Sequence, residues 1–416
     1  MIKTKKLDCG IRIAMEEIPY LQSVSIGIWT KTGSRDETVR NSGISHLVEH
    51  MMFKGTEKRS AKQIAEDTDK IAGQMNAFTG KEATCYYIKT LSSNLEKAAE
   101  ILLDMFLNSK FDREELKKEK LVIREEMKMI EDSPEDYVHD MICEMIFSGN
   151  PLGKSIIGTP SSLNSISRNT IRQYIADEYT RDSIVVAVAG NFDEEKICAF
   201  LEDKFAALHL SKEHKPYEEA PYAPLFRVKV KKTEQAHLCM GTRGIQLSDD
   251  RYYALSVLNN IFGGSMSSRL FQNIREEKSL AYSVYSMTSS FSDMGYFNIY
   301  AGVSHEKLAD AIAGIKEELI KLEQAGVTDE ELSAAKEQIK GSYIFAQENV
   351  SGRMFSIGKN LTLLDRIYTL EEVIAGIDKV TQKDINDVIP LISDIGLYSA
   401  AAVTNRKFAL KKCVVN

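Results

Sequence analysis

Two acidic segments that resemble each other most constrain the fold of this chain. One reads Asp-Arg-Glu-Glu-Leu-Lys and the other Asp-Glu-Glu-Leu-Ser, and matching Glu114 to Glu330 gives an offset of 330 − 114 = 216 residues. Each segment follows an amphipathic stretch, 95–107 in one case and 306–324 in the other. A two-fold internal repeat is the economical interpretation. A single short match of this kind is also explained by the acidic residues that commonly occur at the N-terminus of a helix.

Length and proline content support a division into two domains. A chain of 416 residues is too long for one ordinary hydrophobic core. Three of its eight prolines, Pro216, Pro221 and Pro224, fall in a polar stretch near the middle that shows no periodicity. We therefore predict domains over residues 1–210 and 227–416, joined by a linker at 211–226.

Composition excludes several classes of protein. The net charge of −7 and the pI of about 5.7 predict no nucleic-acid partner. Scattered cysteines without a Cys-x-x-Cys pair are typical of a reducing compartment. No apolar run approaches the length of a membrane span, and the start resembles neither a signal nor a transit peptide, so we expect a cytoplasmic protein and no membrane partner.

A His-x-x-Glu-His sequence lies in a segment with helical periodicity. On a helix, His46 and His50 share one face with Glu49 beside them, so two imidazoles can bind one metal ion and the carboxylate can take a proton from a bound water. This order reverses that of the His-Glu-x-x-His proteases. We expect Ser42 as N-cap and Gly55 as the stop. An apolar stripe predicts a buried opposite face: Ile44, Leu47, Val48, Met51 and Met52. The alternative is a helix with two surface histidines.

A third ligand is expected from the helix predicted over 113–131. At 100° per residue, Glu119 and Glu126 border the apolar face that contains Leu116, whereas Glu125 points to solvent. The two candidates are separated by about 10 Å along the axis, so both cannot easily bind one ion. Periodicity leaves open which one is the ligand and which orients a ligand. A salt-bridged helix surface is the alternative.

Alternating segments predict the strands. Apolar and polar residues alternate over 11–15 and 23–29, and we predict that these two strands form a hairpin. Residues 75–91 are read as two further strands around a glycine turn, and 183–190 as a short buried strand.

These motifs together resemble the pitrilysin/insulinase family of zinc metallopeptidases. His46 to His50 is followed 126 − 50 = 76 residues later by Glu126, in Val-Ile-Arg-Glu-Glu. The match is closest to the short-chain branch that holds the mitochondrial processing peptidase β-subunit and its bacterial relatives. Asn76-Ala77-Phe78-Thr79 resembles the family's substrate-binding edge strand, and the stretch from Ser267 through Arg275 to Tyr282 resembles its C-terminal segment.

The resemblance implies a fold and a ligand set. The fold is α+β, with two structurally similar domains that each pack helices on a mostly antiparallel sheet. Glu126 joins His46 and His50 around one zinc ion per chain, and Glu119 becomes an outer-shell residue needed for full activity. The second domain lacks metal ligands, since the stretch at 262–271 holds no histidine.

The resemblance also implies a homodimer whose active site is completed in trans. Family members of this branch pair two chains into a clam-like chamber, so Arg275 and Tyr282 of one copy act at the zinc site of the other. An intact metal motif, without a visible glycine-rich loop, favours self-pairing over a heterodimer. Without the resemblance, we would expect Arg275 to pair with Glu276 or Glu277, and Tyr282 to be an ordinary core tyrosine.

The function implied is that of a zinc-dependent endopeptidase. Glu49 acts as general base, and the peptide or unfolded polypeptide binds as an added strand beside Asn76, Ala77 and Phe78. Arg275 and Tyr282 donate to substrate carbonyl oxygens. One alternative is a non-catalytic scaffold or binding subunit of the same family, and another is a zinc amidase that acts on small substrates.

Overall fold

The computed structural model describes residues 2–208, 217–218 and 220–415. The strands, in chain order, are β1 (Ile2–Lys6), β2 (Arg12–Glu17), β3 (Ser23–Thr30), β4 (Gln74–Thr79), β5 (Thr84–Leu91), β6 (Ile184–Gly190), β7 (Phe226–Val230), β8 (Ala236–Gly244), β9 (Ala281–Ser290), β10 (Gly295–Val303) and β11 (Ser399–Thr404). The helices are α1 (Ile44–Met52), α2 (Ala61–Lys70), α3 (Leu95–Asn108), α4 (Arg113–Asp132), α5 (Pro134–Ile146), α6 (Pro160–Ser165), α7 (Arg168–Glu178), α8 (Glu194–Phe205), α9 (Tyr252–Asn259), α10 (Leu308–Ala325), α11 (Asp329–Ala346), α12 (Val350–Leu364), α13 (Leu370–Asp378), α14 (Gln382–Ser393) and α15 (Leu410–Val415). Within the described part of the chain, no helix is both long enough and apolar enough to cross a membrane.

The chain forms two compact units, each with its own sheet. The first unit comprises residues 1–127, 154–216 and 344–369, and the second comprises the remaining segments. The helix α5 therefore belongs to the second unit, although it precedes most of that unit in the sequence, and α12 belongs to the first. Within the linker predicted at 211–226, residues 211–216 and 219 lie outside the described residues.

The two sheets share one connectivity, which confirms the α+β fold class. The first has the order β1-β2-β6-β3-β5-β4, with β2 and β6 parallel and the other neighbours antiparallel. The second has the order β7-β11-β8-β10-β9, with β7 and β11 parallel. Read across the sheet from β2 to β4, or from β7 to β9, the five strands follow the same order in the chain: first, fifth, second, fourth and third. In the described residues, β1 has no counterpart in the second sheet.

The predicted hairpin of residues 11–15 and 23–29 is wrong, although both strands exist. The strand β6 lies between β2 and β3 and pairs with each of them. Every residue of β6 is buried. An apolar strand of this kind is most stable with a strand on each side, so it takes the central position. The hairpin that forms joins β2 to β1 instead.

Helix α12 packs tightly on the first sheet. It lies against β3 and β6, where Met354, Ile357 and Leu361 join a buried cluster with Trp29. Gly358 meets the indole so closely that an added Cβ would lie 2.1 Å from Trp29 Nε1. The helix can approach the sheet because this position lacks a side chain.

Substituting Gly358→Leu should therefore destabilise the protein. The larger side chain must displace α12 or Trp29, and overpacking of this kind costs about 1–3 kcal/mol. Urea unfolding followed by Trp29 fluorescence measures the change in the free energy of unfolding. Lys359→Leu adds the same side chain at the next, exposed position and is the control. Equal midpoints for the two variants would contradict the close packing.

Candidate metal centre

Helix α1 is fixed in the first unit by its apolar face and by its N-terminus. The five residues of the predicted apolar stripe are fully buried. The buried carboxylate of Glu37 accepts hydrogen bonds from the backbone N–H groups of Gly43 (2.6 Å) and Ser45 (2.9 Å). Ser42 is therefore not the N-cap; Gly43 takes that position with a φ of 89°, and a side chain from the preceding loop satisfies the helix start. Burial raises the pKa of Glu37 to about 7.

Three potential ligands converge beside α1. The Oε2 atom of Glu126 lies 3.9 Å from His46 Nε2 and 3.6 Å from His50 Nε2. One ligand atom from each residue lies within 4.8 Å of the others. Burial lowers the pKa of His46 to about 4, with a smaller contribution from His50, so its imidazole is neutral near pH 7 and can bind a metal. Two imidazole nitrogens and one carboxylate oxygen fit a catalytic zinc ion.

Glu119 contacts the outer side of the His50 ring. Its side chain is buried, with Oε2 3.1 Å from His50 Nδ1 and Oε1 2.7 Å from Lys54 Nζ. Glu126 thus reaches the Nε2 side of the ring, and Glu119 the Nδ1 side. A carboxylate in this position fixes the tautomer and orientation of a ligand histidine. Glu125 is exposed, as the helix periodicity predicts.

Glu49 receives a hydrogen bond from Thr79, a residue of the edge-strand motif for which the sequence predicts no role of its own. Thr79 Oγ1 donates to Glu49 Oε2. Burial raises the pKa of Glu49, the Thr79 bond opposes the shift, and the Glu126 charge adds a small increase. Strand alternation places Thr79 on the same face of β4 as Ala77, which lies in the same core cluster as the α1 stripe, but only the tertiary structure shows the contact with Glu49. No pattern in the sequence predicts the roles of Lys54 and Glu37.

Among the described strands, β4 pairs only with β5 and is therefore an edge strand. Asn76 Oδ1 accepts the N–H of Ala77 at 2.8 Å. The ring of Phe78 packs edge-on against Trp29 and Phe355, with centroids 5.5 and 5.7 Å away. The three residues expected to bind substrate thus lie on a strand with an open outer edge, as far as the described residues show.

Arg275 and Tyr282 lie together in the second unit. The guanidinium carbon of Arg275 is 4.6 Å from the centroid of Phe271 and 5.9 Å from that of Tyr282. Tyr282 is 75% exposed, so it is not a core tyrosine. Arg275 also has Glu276 as an ion-pair partner at 3.5 Å. The two residues form an exposed cation–aromatic pair.

Known proteins place the chain in a family. Residues 12–160 match the insulinase family (peptidase family M16), and residues 165–339 match the peptidase M16 inactive domain. The chain is 45% identical over 386 residues to the uncharacterised zinc protease YmxG of Bacillus subtilis, covering 93% of this chain and 94% of that protein. It is 38% identical to an uncharacterised zinc protease of Streptomyces coelicolor, covering 93% and 86%.

Solved structures show the same fold. A peptidase M16 inactive domain from Pseudomonas fluorescens matches with a TM-score of 0.91 at 17% identity, over 98% of both chains. A protease from Helicobacter pylori matches with a TM-score of 0.90 at 21% identity, over 97% of this chain and 99% of that one. The chain belongs to the insulinase family, peptidase family M16, which confirms the resemblance drawn from the motifs.

The contact of Glu119 with His50 predicts an effect on metal affinity. Glu119→Gln weakens the acceptor for the His50 ring and leaves Lys54 without its carboxylate, so the dissociation constant for zinc should rise about 10–100-fold. Competition with a chromogenic chelator measures it. Glu125→Gln, at an exposed position of the same helix, is the control. Unchanged affinity in Glu119→Gln would show that the carboxylate does not orient His50.

Proposed function

We propose that this protein is a zinc-dependent endopeptidase with one zinc ion per chain. The convergence of His46, His50 and Glu126 carries this proposal, with Glu49 in the same helical turn. The relatives named zinc proteases support it over nearly the whole chain. The cysteines are scattered and form no Cys-x-x-Cys pair, which supports a reducing, cytoplasmic location.

The side chains have separate roles in hydrolysis. His46, His50 and Glu126 would hold the metal, which when bound supplies a Lewis acid that lowers the pKa of water. Glu49 accepts a proton from the water that attacks the peptide carbonyl, and it returns a proton to the nitrogen of the departing amine. Burial raises the pKa of Glu49, which makes its carboxylate a stronger base for the first step. Glu119 keeps the His50 ring in orientation.

The open edge of β4 supports an extended substrate. A peptide strand can pair with the outer N–H and C=O groups of β4, which sets its register by main-chain hydrogen bonds. The N–H of Ala77 is already bonded to Asn76 Oδ1. The carbonyl oxygen of an incoming peptide would replace Asn76 Oδ1 as the acceptor. Without substrate, the Asn76 side chain therefore accepts the hydrogen bond of this backbone N–H.

We extend the proposal to a homodimer with sites completed in trans. Arg275 and Tyr282 present a guanidinium and a phenol on the surface of the second unit, and both groups can donate to a substrate carbonyl. In this arrangement the second unit of one copy binds substrate for the zinc site of the other copy.

Replacing the general base should abolish turnover without loss of metal. We expect Glu49→Gln to lower kcat by about 10²–10⁴-fold, because it removes the proton acceptor. Cleavage of a quenched fluorogenic peptide measures kcat, and atomic emission measures zinc. The control Glu125→Gln should behave as wild type, and a chelator should stop wild-type cleavage. Wild-type activity in zinc-loaded Glu49→Gln would refute the role. An inactive but zinc-loaded wild type would favour the non-catalytic subunit.

Mixing two inactive variants tests completion in trans. In a dimer of one Glu49→Gln chain and one Arg275→Ala chain, both lesions fall on the same site if Arg275 acts across the dimer. The other site stays intact, so mixing should restore up to about half of the activity per mixed dimer. Peptide cleavage before and after subunit exchange measures it. Two copies of the same variant are the control, and no recovery after verified exchange would contradict the trans arrangement.

A further inference from the structure

Thr79 is the one hydroxyl that contacts the Glu49 carboxylate in the described structure. It is the last residue of β4, and its Oγ1 donates to Oε2 of Glu49. Among the described residues, Glu49 accepts no other hydrogen bond, so Oε1 stays available. Asn76 and Phe78 occupy the alternate positions of the strand, and the Phe78 ring contacts Trp29 and Phe355.

The turn that follows Thr79 is held by backbone hydrogen bonds. Gly80 N–H donates to Ala83 O at 2.8 Å and closes the turn between β4 and β5. The N–H groups of Ser34 and Arg35 donate to the carbonyls of Gly80 (3.1 Å) and Lys81 (2.8 Å). A loop from another part of the first unit thus docks on this turn and restricts its motion.

A buried ion pair anchors the same turn. Arg35 Nη1 lies 2.6 Å from Glu82 Oε1, and both side chains are almost completely buried. Gly33 allows the close approach, since an added Cβ would lie 2.5 Å from Gly80 O. The Thr79 hydroxyl is therefore presented by rigid backbone, which is the condition for holding a reacting group in one orientation.

We propose that Thr79 is a positioning residue that sets the orientation of the Glu49 carboxylate. This proposal rests on the proposed function, in which Glu49 moves the protons. The hydroxyl binds one carboxylate oxygen and directs the other towards the attacking water and the departing amine. Because Thr79 belongs to the strand proposed to bind the peptide, the base and the scissile bond are placed by one rigid element. Orientation of this kind changes kcat more than KM.

Two substitutions separate the hydroxyl from the shape of the side chain. Thr79→Val keeps the size and removes the donor, and it should lower kcat about tenfold or more, with KM and zinc content unchanged. Thr79→Ser keeps the donor and should retain kcat within about twofold. Thr90→Val is the control, because the Thr90 hydroxyl in β5 donates to Ile71 O and has no contact with Glu49. It should lower the thermal midpoint without changing kcat.

The outcomes distinguish this inference from the proposed function. If zinc-loaded wild type cleaves no peptide, the proposed function fails and the role of Thr79 fails with it. If wild type cleaves and Thr79→Val matches its kcat, only the role of Thr79 fails. Equal losses in Thr79→Val and Thr79→Ser would also overturn it, because the hydroxyl would then not be the cause. Loss of zinc in Thr79→Val would assign a structural role instead.

Discussion

Burial of one face of α1 is the constraint on which the rest of the site depends. The apolar stripe places the helix in the core of the first unit, and Glu37 satisfies its N-terminus. The opposite face then presents His46, Glu49 and His50 at fixed positions. Each of the other site residues acts on this face, since Glu126 approaches the two histidines, Glu119 contacts His50, and Thr79 contacts Glu49.

Local periodicity predicted the features that depend on one helix or one strand. The 3.6-residue period predicts the buried stripe of α1 and the exposed position of Glu125. Alternation predicts the strands β2 and β3, and a short apolar run predicts β6. Periodicity left Glu119 and Glu126 as equal candidates, because both border the same face of α4. The resemblance to a family distinguishes them. In the structure, Glu126 lies within 4 Å of the Nε2 atoms of both histidines, whereas Glu119 contacts the Nδ1 atom of His50.

Features that depend on contacts between distant segments could not be predicted in this way. The strand β6 inserts between β2 and β3 because it is completely buried. The sequence pattern of residues 11–29 carries no information about β6. Capping rules are local and predict Ser42 as the N-cap of α1, whereas Glu37 reaches the helix from an earlier loop. The sequence predicts no separate role for Thr79, because a threonine in a strand is ordinary. Its role depends on its distance from Glu49, which only the tertiary structure provides.

The packing of α12 on the first sheet has a consequence for biosynthesis. The strands of that sheet are complete once the ribosome has passed Gly190, but the helix that covers Trp29 ends at Leu364. At 5–20 residues per second, the intervening 364 − 190 = 174 residues take roughly 10–35 s to make. During that interval the sheet face around Trp29 lacks the cover that α12 provides, and it is a surface that a chaperone at the exit tunnel can bind.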